Sequence, residues 1–402
     1  MRILMLSQFY PPTLGGEEQH VRGLAIEMTR RGHVVEVLTI ATPGTEVGAE
    51  MEDGIWVHRV KTSAQRIPGA YSDAGRPHAL PLPDPETARA IGRVLDSGRF
   101  DVLHAHNWIA NSALAVAHRS HCPLVLTLHD YSHVCATKRF MRRERVCSGP
   151  GLRCLPCATN HYGPLIGAPT AVANAVAAVR RRSGVAAFIA VSRSVADRSA
   201  LFREGIPFDV IPNFVPDEIV ESRSSDNHDG PLLYVGDLSR DKGVEVLAGA
   251  YRRLRDATPL VLVGRRVPGT RIDAAAGVAV LDPVPHNEVL TLIRSARIVV
   301  VPSVWPDPCP TVVLEAMAMG RAVVAAASGG IVDLVEDGVT GRLVEPGDQA
   351  ALARVLDEVL HAPDVVTRMG DAALRSVRRF TASVVAERIE AMYERVAIPR
   401  AG

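Results

Sequence analysis

The sequence has no uninterrupted run of 18 apolar residues, so no segment is long enough to cross a bilayer as a helix. It has almost no net charge: 45 basic against 44 acidic residues leave a formal +1. A dedicated nucleic-acid binder needs a strong positive field, and this balance argues against one. The fingerprint G-x-G-x-x-G is missing from both glycine loops, which argues against a dinucleotide oxidoreductase. The opening MRILMLSQFY, followed at once by PPTLGGEE, is too short in apolar residues for a secretory signal. Without such a signal, the six cysteines are expected to be reduced thiols in the cytoplasm.

What is present is an alternation of strand-like and helix-like segments that runs through the chain and then starts again. At 402 residues the chain is long enough for two domains, each with its own core. The alternation favours an α/β class with two doubly wound parallel sheets. Arg2–Leu6 reads as the first buried strand, followed by Gly15-Gly16 and a helix with apolar positions Val21, Leu24, Ala25 and Met28. A glycine pair ahead of a helix lets backbone approach a phosphate or a sugar, although a plain tight turn has the same look. Asp84-Pro85 has the chemistry of a helix start, and Ser192 caps another. The strands 101–108 and 123–131 end in His104, His106 and His129-Asp130. Ligands of open α/β sheets bind beyond the carboxyl ends of strands, so these histidines are placed to meet one. A structural role is the commoner one for a lone strand-end histidine. Residues 61–83 read as a loop, and SRSSDNHDG (222–230) as the linker between the halves.

The segment WPDPCPTVVLEAMAMG (305–320) follows the buried strand Ile298–Val301. Pro306, Pro308 and Pro310 exclude a helix until Pro310, which is acceptable as its first residue. The N–H groups of Thr311, Val312 and Val313 are then expected to form an anion or hydroxyl site. Asp307 and Glu315 bracket it, eight positions apart. On a continuous helix eight residues rise about 12 Å, outside the roughly 5–9.5 Å of a glycosidase carboxylate pair.

Residues 131–163 form an insertion with Cys135, Cys147, Cys154 and Cys157 and a cluster of arginines. Cys154-x2-Cys157 has zinc-knuckle spacing, and four thiolates would close a tetrahedral structural site. The other two cysteines lack that spacing, and inert thiols remain the competing reading. The basic residues suit either a solvated face or a peripheral contact with an anionic membrane surface or acceptor.

Asp307-x7-Glu315, followed by Ala316-Met317-Ala318 and Gly320, resembles the E-x7-E signature of retaining GT-B glycosyltransferases of family 4. Asp stands for the first Glu, and Cys309-Pro310 where Phe-Gly is usual. Gly15, Gly16 and His20 resemble that family's GG-x-E-x-H pattern, and His129-Asp130 its HD pair. PLLYVG (231–236) with Lys242-Gly243 resembles its G-R-L-x-x-x-K-G motif, with Asp237 in the arginine's place. The glycines of 328–348 match as well.

The resemblance implies two Rossmann-like domains facing across a cleft: an acceptor-side domain, 1–213, and a nucleotide-sugar domain, 214–380. A final helix, 381–402, crosses back onto the first. It implies a retaining hexosyltransferase moving a hexose from a UDP- or GDP-sugar to a hydroxyl of a small-molecule, glycan or lipid-linked acceptor. No cofactor or metal is required. His129, Lys242, Asp307 and Glu315 would be catalytic. Gly15, Gly16, Gly236, Arg240, Arg265, Cys309, Pro310, Thr311 and Val312 would meet the donor, and His20 and His106 the acceptor side. Arg240 or Arg265 is expected to offset Asp237. The rival expectations are an epimerase or phosphorylase on the same fold, and a nucleotide-sugar-binding protein without activity.

Overall fold

A computed structural model describes residues 1–397 apart from 14, 68–70, 72–74, 118–121, 204, 222–228, 256–257 and 273–275. Most of the expected linker, 222–230, and part of the expected loop, 61–83, lie outside the described residues. The chain divides into two units, Met1–Arg142 with Cys147–Pro212 and Val385–Gly402, and Arg143–Val146 with Asn213–Val384.

The first unit begins β1 (Arg2–Ser7), α1 (Gly16–Arg30), β2 (Val34–Ile40), β3 (Gly48–Glu52) and β4 (Ile55–Val60). It continues α2 (Pro85–Ser97), β5 (Val102–His106), α3 (Ala110–Leu114) and β6 (Leu124–Leu128). The insertion supplies β7 (Met141–Arg142), β8 (Arg145–Val146) and α4 (Cys154–Tyr162), and the long α5 (Gly167–Gly184) follows it. β9 (Ala187–Ala190), α6 (Arg193–Arg198) and β10 (Phe208–Val210) complete the sheet, in order β10-β9-β6-β5-β1-β2-β4-β3. All neighbours are parallel except β3, which runs antiparallel to β4 at the edge. Strands β5 and β6 are buried along their whole length, as expected where helices cover both faces. Asp84 caps α2 by accepting from the Thr87 N–H, with Pro85 in the first turn, and Ser192 caps α6 through the Val195 N–H.

The second unit runs β11 (Leu232–Val235), α7 (Val244–Tyr251), β12 (Leu260–Val263), β13 (Val278–Leu281), α8 (His286–Ser295) and β14 (Ile298–Val301). Then come α9 (Thr311–Ala318), β15 (Ala322–Ala326), α10 (Ile331–Leu334), β16 (Gly341–Val344), α11 (Gln349–Leu360) and α12 (Pro363–Val377). Its sheet is wholly parallel, in order β13-β12-β11-β14-β15-β16. Its core joins Leu232, Leu247, Leu260, Ile298, Val324 and Leu356, each worth about 1.5–3 kcal/mol on full burial. The last helix, α13 (Ala382–Val396), returns its later turns to the first unit. There Glu390 pairs with Arg31 (2.7 Å) and His33 (2.8 Å), and the Tyr393 hydroxyl lies 2.6 Å from His104 Nδ1.

Each sheet reverses its winding once, between β1 and β5 in the first unit and between β11 and β14 in the second. That reversal opens a crevice at the carboxyl ends of the two strands, where loops diverge. Gly15-Gly16 and His106 leave the first such point; Gly236–Lys242 and Ser303–Asp307 leave the second.

Candidate active site

In the first unit, β1 delivers α1 and β5 delivers Asn107, and the two loops meet directly. The Asn107 Nδ2 donates to Glu17 Oε2 at 2.8 Å, while its Oδ1 accepts from the His129 N–H at 3.2 Å. Asn107 holds φ +59 to do this, a left-handed conformation that asparagine tolerates better than most residues. His106 Nδ1 lies 2.9 Å from His129 Nε2, and the two rings stack at 5.2 Å. His20, from the buried face of α1, sits edge-on to His129 at 4.8 Å. Behind them His104 meets the Tyr393 and Thr127 hydroxyls at 2.6 and 2.7 Å. Burial, with the neighbouring histidines second, holds His20 and His106 far below the usual imidazole range and brings His104 down to about 3. These three rings are neutral at physiological pH, each able to donate from one nitrogen and accept at the other.

Glu17 was not singled out by any motif, yet it borders this cluster. Burial first, then the charges of Glu18 and Asp130, push its carboxyl up to about 8. Its Oε1 is buried with no hydrogen-bond partner. Glu18 is different: Arg76 pairs with it at 2.7 Å. Lys138, from the insertion, places its Nζ 4.3 Å from the Trp108 ring centroid.

In the second unit, Lys242 follows β11 and Asp307 follows β14, and Nζ meets Oδ2 at 2.6 Å. Asp307 is 4% exposed. The same Oδ2 receives Trp305 Nε1 (3.3 Å) and Ser303 Oγ (3.4 Å), and Lys242 also lies 5.0 Å from the Trp305 ring centroid. Trp305 therefore touches both members of the pair, a role that the spacing of the acids does not reveal. The glycines keep this loop in place. Gly329 has φ +60, and a Cβ there would lie 2.1 Å from the Asp307 carbonyl oxygen, which accepts from the Gly330 N–H at 2.7 Å. At Gly243, φ +77, a Cβ would lie 1.9 Å from the Pro302 oxygen. Both positions exclude any side chain.

Helix α9 starts one residue later than expected. Pro310 is its N-cap, at φ −69 and ψ 118, not its first helical residue. The cause is local: the Val313 N–H closes a turn onto the Pro310 carbonyl at 3.2 Å. That engages one of the three N–H groups expected to face a ligand. Cys309 is buried, its carbonyl accepts from Asn213 Nδ2 at 2.9 Å, and burial pushes its thiol up to about 12. It is a packed thiol and not a nucleophile. Glu315, on α9, pairs with His286 Nε2 at 2.9 Å, and this hydrogen bond raises the imidazole of His286.

The two arginines take separate partners. Arg265 grips Asp237 through two nitrogens, at 2.9 and 3.3 Å. Arg240 turns to Glu245 at 3.1 Å. The charge that Asp237 introduces is thus offset by Arg265, while Gly236, at φ +146, ends β11 without a side chain.

All six cysteines are free thiols. In the insertion, Cys135 Sγ meets the Thr137 hydroxyl, Cys147 the Gly149 carbonyl and Cys157 the Met141 carbonyl. Among the described residues no group of three or more His, Cys, Asp or Glu is arranged to hold a metal ion. Burial first, then the neighbouring thiols of Cys135, Cys147 and Cys154, raise the Cys157 thiol, so the four cysteines of the zinc reading are neighbours in the fold.

Comparison with known proteins places this geometry in a family. Residues 14–219 match the model described as Glycosyltransferase Family 4, and residues 230–362 that described as Glycosyl transferases group 1. The chain is 31% identical to a glycogen synthase of Mycobacterium tuberculosis, covering 93% of this chain and 89% of that protein. It is 27% identical to a D-inositol 3-phosphate glycosyltransferase of Corynebacterium diphtheriae, covering 98% and 94%. Among solved structures it resembles sucrose-phosphate synthase from Thermosynechococcus elongatus, at TM-score 0.75 and 20% identity over 98% of each chain. It also resembles Anabaena HepE in complex with UDP-glucose, at TM-score 0.68 and 19% identity over 98% of this chain and 100% of the other. The two parallel units are those of the GT-B fold, and the chain belongs to glycosyltransferase family 4.

Proposed function

We propose that this glycosyltransferase is a retaining hexosyltransferase that uses a UDP- or GDP-sugar and a hydroxyl acceptor, without a metal. The observation that carries the reading is the meeting of Lys242 and Asp307 at 2.6 Å at the winding reversal of the second sheet, with Glu315 one helix further on. In this reading Lys242 stabilises charge on the departing diphosphate, the electrostatic contribution that usually dominates such transfers. Asp307 accepts from the sugar's hydroxyls and Glu315 from the ribose. Gly236, Cys309, Pro310, Thr311 and Val312 line the donor with backbone, and Gly15, Gly16 and His129 meet the transferred group. His20 and His106 serve the acceptor side. Arg265 acts by cancelling Asp237, so that Asp237 adds no net negative charge against the diphosphate.

The cytoplasm is the compartment that suits this chemistry, since nucleotide sugars and free thiols coexist there. Screening UDP-, GDP- and ADP-sugars by thermal shift tests the donor, because a ligand of the native state raises its melting temperature by mass action. The anomeric configuration of the transferred sugar, read by NMR, tests retention. Turnover of the donor sugar without acceptor would replace transfer by epimerisation, and tight donor binding with no transfer would leave a binding protein.

A further inference from the structure

The insertion ahead of α5 has little to hold it in shape. Between residues 131 and 163 it forms two strands of 2 residues each, β7 and β8, and one helix of 9, α4. The apolar cluster that joins it to α5 has three buried members, Ala136, Ala158 and Ala171. Lys138, Phe140, Arg143 and Glu144 hold φ between +49 and +64, a conformation that a residue other than glycine keeps only where its surroundings fix it. A segment of this size folds on a staple as much as on a core.

Its four cysteines converge. Cys154 and Cys157 are three apart on α4 and share a face. Cys157 Sγ lies 3.8 Å from the Met141 carbonyl oxygen, and the Cys147 N–H donates to the Phe140 carbonyl at 2.8 Å. The N–H groups of Thr137 and Phe140 donate to Cys135 Sγ. Phe140 and Met141 thus touch three of the four, while Cys154 packs on the cluster that holds Ala136, the neighbour of Cys135.

The surroundings suit thiolates. Residues 131–163 hold five arginines and one lysine against a single acid, Glu144. Arg139 lies within electrostatic reach of Cys135 and Cys157, and Arg142 of Cys157. A zinc ion with four thiolates keeps a double negative charge, which such cations and backbone N–H groups offset. Two disulfides would staple the segment as well, but a neutral disulfide sulfur gives those donors no charge to meet. Protonated, the thiols of Cys147 and Cys157 donate to the carbonyls of Gly149 and Met141, and no three ligands are arranged for an ion among the described residues. Zinc displaces those protons to solvent and draws the sulfurs from their carbonyls.

We propose that Cys135, Cys147, Cys154 and Cys157 bind one structural zinc ion that fixes the insertion. All four belong to the first unit, and the ion takes no part in transfer, so the proposal is independent of the donor reading.

The test is zinc analysis of the full chain by plasma mass spectrometry, after reduction, loading with zinc and gel filtration. About one zinc per chain is expected, and cobalt(II) in its place should show the thiolate charge-transfer and d–d bands of a tetrahedral site. The variant C154S/C157S should retain at least about tenfold less, and Cys122→Ala, outside the insertion, should retain all of it. In the native chain, which needs no variant to fold, iodoacetamide should reach the four cysteines only after a chelator is added. No zinc uptake, zinc unchanged in C154S/C157S, or alkylation indifferent to the chelator overturns the proposal. So does a disulfide among the four in the zinc-loaded chain, found by mapping its peptides.

Discussion

At the winding reversal of the first sheet, an amide and a neutral imidazole join the loops: Asn107 reaches Glu17 and the His129 backbone, and His106 reaches His129. At the equivalent point of the second sheet, charges do so, Lys242 with Asp307 and Arg265 with Asp237, beside His286 hydrogen-bonded to Glu315. The same topology therefore carries two kinds of electrostatics. The neutral cluster is inexpensive to bury but only while its rings stay unprotonated. The charged cluster, which we propose meets a diphosphate, depends on each partner being present. One site should answer to pH and the other to the removal of single charges.

The largest effect should come from the charged site. Lys242→Ala leaves Asp307 buried without its cation, and we expect kcat/KM for the nucleotide sugar to fall about 10²–10³-fold. A comparable loss in His20→Ala alone would erase the contrast between the two sites. Acid should act on the other site. The folded pKa values of His20, His104 and His106 lie below the unfolded value near 6.5, so their stability is complete above that pH. It is lost as pH falls, at up to about 1.4 kcal/mol per pH unit for each ring, on down to about pH 3 for His104. Urea unfolding at several pH values below 7 measures it.

Gly329→Ala forces a side chain against the Asp307 backbone and should cost roughly 2–3 kcal/mol in the second unit, seen in a thermal melt. The effect sharpest in sign belongs to Glu17. Its folded pKa is raised to about 8, so it costs nothing below its unfolded value and weakens the fold as pH rises toward 8. Glu17→Gln should then stabilise at pH 8, by up to about 1.4 kcal/mol for each pH unit above the unfolded value, and change nothing at pH 4.

Much of this was legible in the sequence. The buried strands, the helix starts at Asp84 and Ser192, and the glycines of both halves follow from patterning and backbone geometry alone. The proline-rich loop with its two acids marked the second site, because prolines and spacing are local signals. The partners were not legible. Trp305 lay in plain view, yet nothing in spacing says that an indole will bond Asp307 and cover Lys242. His286 lies 29 positions from Glu315 and Glu17 lies 90 from Asn107, separations that only the sheet order closes. Pro310 showed the limit of a local rule: it fits the first helical position, but the turn onto its own carbonyl makes it the cap. The arginine pairing had the same cause, since a charge at 265 meets Asp237 only because β11 and β12 are neighbours.

The central claim is that the second unit binds a nucleotide sugar through Lys242, Asp307 and Glu315. It is tested most directly by calorimetric titration of UDP-, GDP- and ADP-sugars into the native chain, Asp307→Asn and Glu315→Gln. The account predicts one nucleotide sugar bound by the native chain and bound about tenfold or more weakly by each variant. Binding of none of them, or equal binding by all three proteins, would contradict it.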